Sequence, residues 1–209
     1  MIIPPDALLL FTAASAALAI APGPDNIFVL AHSALYGRRA GLLITLGLCT
    51  GLLVHTSAVA LGVAAILQKS AVAFNALKMA GACYLLYLAW QAFRAGAIVS
   101  AGGQSGPTGG WARYGRGILM NVTNPKVAIF FLAFLPQFAD PARGSIPLQI
   151  ALLGAVFIVC TLAVFGGIAW AAGSIGRWLK HSPRAQVVMH RAAGSIFVLL
   201  AGRLALSRQ

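Results

Sequence analysis

The sequence predicts an all-α membrane protein: six transmembrane helices forming two inverted three-helix repeats, with the first helix of each half broken. Three observations carry this prediction. The 209 residues are 60% hydrophobic and only 9% charged, with a mean hydropathy of +0.88, far from the roughly 25% charge of a soluble domain. The stretches 40–68 and 144–176 contain no Asp, Glu, Lys or Arg and are longer than the about 20 residues that cross a hydrocarbon core. Proline interrupts two apolar stretches at corresponding places, Pro22 and Pro24 in the first half and Pro125 in the second.

Taken in order, apolar runs bounded by charges and turn signals place spans near 6–30, 42–67, 71–93, 115–138, 146–175 and 187–206. Six spans of about 20 residues leave room only for connections, so the chain reads as a single membrane domain, 1–209. Its halves, about 1–96 and 113–209, are joined by a Gly/Ser-rich stretch, 97–112, of linker composition. Ala19-Ile20-Ala21 looks like a leader-peptide cleavage site, but the segment before it has Asp6 and no Lys or Arg, and Pro22 follows the cut. That segment is therefore expected to be a span.

Basic residues give an orientation. Connections one, three and five hold Arg38, Arg39, Arg94, Arg113, Arg116, Arg177, Lys180, Arg184 and Arg191, whereas the other side holds Lys69, Arg143, Arg203 and Arg208. The positive-inside rule puts the richer side in the cytoplasm and both termini outside. The net charge of +12 then faces anionic lipid headgroups and not nucleic acid, because the basic residues sit on short loops between spans. A homo-oligomer is compatible with this composition. Cys49, Cys83 and Cys160 lie in different spans without metal-ligand spacing, so no metal or other cofactor is expected.

The repeat is weak but ordered. Pro24-Asp25 pairs with Pro125-Lys126, and Lys78-Met79-Ala80-Gly81 pairs with Arg191-Ala192-Ala193-Gly194, at offsets of 101 and 113 residues. A three-span half followed by another must enter the membrane upside down, and inverted repeats with interrupted helices characterise secondary transporters.

The chain has three acidic residues, Asp6, Asp25 and Asp140, of which only Asp25 lies deep in an apolar span. An intramembrane carboxylate costs about 2.5–3.5 kcal/mol on the insertion scale, which points to a site for an ammonium group or a proton. The structural alternative makes Asp25 or Asn26 an N-cap. Around the second break, Asn121, Asn124 and Lys126 supply amides and a cation, with Lys126 balancing Asp25 or holding a substrate carboxylate. The alternative is that Lys126 snorkels and Asn124 caps a turn. Gly47, Gly51 and His55 share one helix face; the glycines invite close packing, and His55 is either a proton relay or a buried, hydrogen-bonded residue. Lys78 begins the third-span motif, with snorkelling and function equally open.

Together these residues resemble the LysE/RhtB family of amino-acid exporters. The resemblance rests on Pro22 to Asp25, the Gly47/Gly51/His55 row, Lys78 with Gly81-Ala82 and Tyr84-Leu85, and Asn121, Asn124-Pro125-Lys126 leading to Phe134-Leu135-Pro136-Gln137-Phe138. It implies a plasma-membrane carrier that exports amino acids against entering protons, with Asp25 and Asn124-Pro125-Lys126 near the path. A single site carboxylate favours neutral substrates such as threonine, homoserine or its lactone. The absence of a GxxxxGK[ST] loop excludes the P-loop mode of ATP use. The competing classes are a small-ion carrier or channel and, less well supported, an intramembrane enzyme. An aspartyl enzyme needs two carboxylates at one site; a Ser33–Lys126 pair has no support in the local sequence.

Overall fold

The computed structural model describes residues 2–21, 23–67, 71–94, 109–172 and 182–206. Pro22 and most of the Gly/Ser-rich stretch lie outside them. The described residues are helical throughout and contain no strand. In the first half α1 is Pro5–Ile20, α2 Pro24–Tyr36, α3 Arg38–Leu67 and α4 Ala71–Arg94. In the second, α5 is Gly110–Val122, α6 Pro125–Ile129, α7 Ile146–Ala171 and α8 Pro183–Leu206. The short α6 runs on as a π-helical turn, Phe130–Phe134, and a 3-10 turn, Leu135–Phe138.

Both breaks expected from the prolines are present. The axes of α1 and α2 differ by 60°, and those of α5 and the helix starting at Pro125 by 50°. In each case a proline occupies the first turn of the following helix, Pro24 in α2 and Pro125 in α6. Its missing N–H costs nothing there, and its ring drives the preceding residue out of the helical region. Gly23 is accordingly extended (φ −164°, ψ −179°), as is Asn124 (φ −77°, ψ 108°). The sequence suggested an ordinary helix after Pro125, whereas the backbone widens to a π turn. Pro136 lacks the N–H and crowds the carbonyl four residues back, at Leu132, so regular α winding cannot continue through it.

Residues Arg38–Gly62 of α3 and all of α7 are long and apolar enough to cross a membrane, and each bent pair can serve as one further span. Helices α4 and α8 have 24 residues each, about 36 Å at 1.5 Å per residue, but carry Lys78 and Gln91, and His190 and Arg191. Helix α3 lies against α2, α5 and α7, α1 lies on α7, and α4 pairs with α8. Phe11, Phe130, Phe134 and Phe138 interlock between α1 and the π and 3-10 turns, with ring centroids 4.8–6.2 Å apart.

The glycine row on α3 does what its spacing suggested. A methyl group on Gly47 would strike the Tyr114 carbonyl oxygen and the backbone of Gly117, and one on Gly117 would strike the Ile44 carbonyl. The two helices thus touch backbone to backbone. Gly62, on the same helix, has open space around its Cβ position. Gly47→Ala is therefore expected to destabilise the detergent-solubilised protein by about 1–3 kcal/mol through overpacking. Gly62→Ala is expected to leave the thermal unfolding midpoint unchanged or slightly raised; equal midpoints for the two variants would contradict the close crossing.

Candidate functional site

Broken helices expose backbone groups that regular helices would satisfy, and here the two breaks satisfy each other. The last carbonyls of α1 have no partner within the helix. Lys126 donates from Nζ to the Leu18 and Ala21 carbonyl oxygens, both at 3.1 Å, and Asn26 Nδ2 donates to the Ala19 oxygen at 2.8 Å. A cation at a helix C-terminus is also favoured by the helix dipole. Lys126 therefore does not snorkel: no direct ion pair joins it to Asp25, and two of its three N–H groups go to backbone carbonyls 105 and 108 residues away in the chain.

Asp25 sits in the first turn of α2 and is 6% exposed. It is not the N-cap expected as the structural alternative; Gly23 occupies that position and no side chain caps the helix. Its Oδ2 accepts a hydrogen bond from Asn124 Nδ2 at 2.8 Å, while Asn124 Oδ1 accepts from the Lys126 backbone N–H at 3.0 Å. Asn124 thus caps α6 and also ties it to α2. Since Pro125 fixes the start of α6, the amide is held between two broken helices by its own helix terminus.

Asn121 is buried in the last turn of α5, and its carbonyl oxygen lies 3.1 Å from His55 Nε2. His55 is thereby hydrogen-bonded in the interior, next to the Phe131 ring at 5.7 Å. Its neighbour in the row, Gly51, leaves the space that the Asn121 side chain fills. Lys78 is half-buried on α4 and does not line the cavity described next. Among the described residues, no three His, Cys, Asp or Glu side chains group as metal ligands would.

Between the breaks lies a cavity of about 20 Å³, lined by Asp25, Asn121, Lys126 and Thr161 among apolar neighbours. By the same measure a water needs about 10–15 Å³. Three buried oxygens from lining residues lack a hydrogen-bond partner: Asp25 Oδ1, Asn121 Oδ1 and Thr161 Oγ1. Each such group left unpaired costs about 1–3 kcal/mol. One carboxylate oxygen and two neutral oxygens complement a group with several N–H donors, such as a primary ammonium. Thr161 was missed in the sequence, although a hydroxyl within the uncharged run of α7 was the available signal. Asn124→Ala would free Asp25 Oδ2 as well and detach α6 from α2. It is expected to lower the thermal midpoint and to weaken transport severalfold, measured together on one preparation.

Comparison with known proteins places the chain in a family. The LysE type translocator family matches residues 16–208. The homoserine/homoserine lactone efflux protein of Salmonella typhimurium is 33% identical over 194 residues, 93% of either chain. The leucine efflux protein of Enterobacter sp. is 27% identical over 192 residues, 90% of either chain. An uncharacterized membrane protein of Vibrio cholerae is 34% identical over 179 residues, 86% of either chain. No solved structure matches. With the family covering nearly the whole chain and the apolar helices required of a membrane protein, this chain belongs to the LysE type translocators.

Proposed function

We propose that this protein is a secondary active exporter of amino acids or close derivatives, with neutral substrates such as threonine or homoserine preferred. The observation that carries this reading is that Asp25, Asn121 and Thr161 line one cavity between two broken helices and each keeps a buried oxygen without a hydrogen-bond partner. The substrate's ammonium group binds these oxygens, and Asp25 alternately takes the coupling proton. His55 is a positioning residue that holds the end of α5, and so Asn121, in place. Pro24 and Pro125 keep the helices open where the site forms, Pro22 lies outside the described residues, and Lys78 acts outside the cavity.

The mechanism is alternating access by two inverted three-span halves in the plasma membrane, with both termini outside. Support comes from the matched breaks and from cross-packing: α1 of the first half lies on α7, and α5 of the second lies on α3. A proton entering in exchange for a zwitterion leaving moves one positive charge inward, which the membrane potential drives by about 2.3 kcal/mol per 100 mV. The basic connections rest on anionic lipid.

The test is efflux of preloaded labelled homoserine, threonine, leucine and lysine from cells expressing the chain. Saturable efflux of a neutral amino acid, lost on uncoupling, is expected. Rates equal to cells without the protein for every amino acid, with the chain present in the membrane, would refute the reading; non-saturating solute or ion flux would favour a channel.

A further inference from the structure

A second cavity lies on the other side of Lys126. Its volume is about 120 Å³, and it is bounded by Gln91 of α4, His190 and Phe197 of α8, Lys126, and the first break at Ala21. We propose that this cavity is a loading site for the carboxylate of the amino-acid substrate, held by His190 and Lys126. The proposal rests on the exporter reading above and adds a second station to it.

Size comes first. The cavity at Asp25 has room for about one water, whereas 120 Å³ by the same measure holds several waters. Space for a small solute therefore exists beside Asp25 and not at it. The lining is mostly apolar, with polar groups confined to Gln91, Lys126 and His190, the mixture that fixes the orientation of a small ligand.

Chemistry comes second. His190 lines the cavity, is 5% exposed, and its buried Nε2 has no hydrogen-bond partner in the protein, so a small turn of the ring would offer that nitrogen to a ligand. Lys126 has three N–H donors, of which two go to Leu18 and Ala21. The cavity has no acidic side chain on its wall. An imidazole and an ammonium group without a carboxylate complement an anion; the Gln91 amide nitrogen on the same wall already donates to the Tyr87 hydroxyl. Amino acids carry one such group, and the oxygens at Asp25 already suit their other end. Lys126 lines both cavities, which places the two stations side by side.

Position comes third. Gln91 is three residues before the end of α4 at Arg94, and His190 is seven residues after the start of α8 at Pro183. In the proposed orientation both of these helix ends face the cytoplasm, the side from which an exporter loads. The carboxylate is captured here first, and the ammonium group reaches Asp25 when the halves rock.

The test separates the two ends of the substrate. In proteoliposomes containing the full chain, KM is measured for homoserine and leucine, and Ki for homoserine lactone and leucinamide, which keep the ammonium group but lack a free carboxylate. His190→Leu is expected to raise KM about tenfold while Ki stays within twofold, and His190→Gln, which retains an N–H donor, restores most of the loss. A parallel rise in KM and Ki, or an unchanged KM, would overturn the loading site and leave the exporter intact. If the wild type carried neither amino acid and bound neither analogue, the exporter reading itself would fall, and this site with it.

Discussion

Asp25→Asn is expected to abolish uncoupler-sensitive amino-acid efflux while leaving the protein in the membrane at its normal level. Asparagine has nearly the same volume and keeps an oxygen that can accept from Asn124 Nδ2, the one hydrogen bond Asp25 makes. Packing and the tie between α2 and α6 are therefore retained, and what disappears is the charge. A hydrogen bond to a charged group is worth about 1.5–3 kcal/mol, so the loss of ammonium binding alone predicts a drop in kcat/KM of about tenfold to 150-fold. In the proposed mechanism Asp25 also takes the coupling proton, and its loss would then take net export to background. Substrate exchange with equal pools on both sides distinguishes the two roles. If exchange survives in Asp25→Asn, the residue handles the proton; if exchange is also lost, it holds the ammonium group. The control is Asp140→Asn, whose partner Arg143 lies 3.2 Å away in an ion pair almost half exposed. Such pairs contribute about 0–1 kcal/mol, and this variant is expected to export normally. Wild-type efflux from Asp25→Asn would remove the carboxylate from the mechanism.

Much of the local structure was legible because it depends on side chains that alter the backbone. Pro24 and Pro125 mark their breaks through a missing N–H and a ring clash, and Gly47 marks a close crossing through the absence of a Cβ. The destination of Lys126 was not legible. A cation and a carboxylate at corresponding breaks suggest each other, but the groups that hold Lys126 are the Leu18 and Ala21 carbonyls. Every residue has a carbonyl, so nothing in the sequence distinguishes those left over at a helix end until the helices are placed. Thr161 and His190 were hidden for a related reason. Each is a single polar residue in a helix, and whether it faces lipid, a neighbour or a cavity depends on the rotation of that helix. The π turn at Phe130–Phe134 follows from Pro136 only once the register of hydrogen bonds around it is known.

Lys126→Met is expected to affect folding and transport together, which Asp25→Asn is not. Methionine fills a similar volume with a flexible apolar chain, but the Leu18 and Ala21 carbonyls lose their donor. Each unsatisfied carbonyl costs about 1–3 kcal/mol. At about 2–4 °C per kcal/mol for a chain of this length, the thermal midpoint is expected to fall by about 4–24 °C, with export lost. Lys126→Arg keeps a charged donor, yet little space is available: a methyl placed on Gly23 would lie 3.3 Å from Nζ. A partial recovery of the midpoint without recovery of transport is expected there. The decisive comparison is stability with substrate absent. Because Lys126 bonds backbone of the first half and lies in the second, its loss must loosen the contact between α1 and α6 even when nothing is transported. Asp25→Asn, by contrast, should unfold at the wild-type temperature. If Lys126→Met unfolded at the wild-type temperature, the two hydrogen bonds to α1 would not be holding the broken helices together. Its transport defect would then have to arise at the substrate.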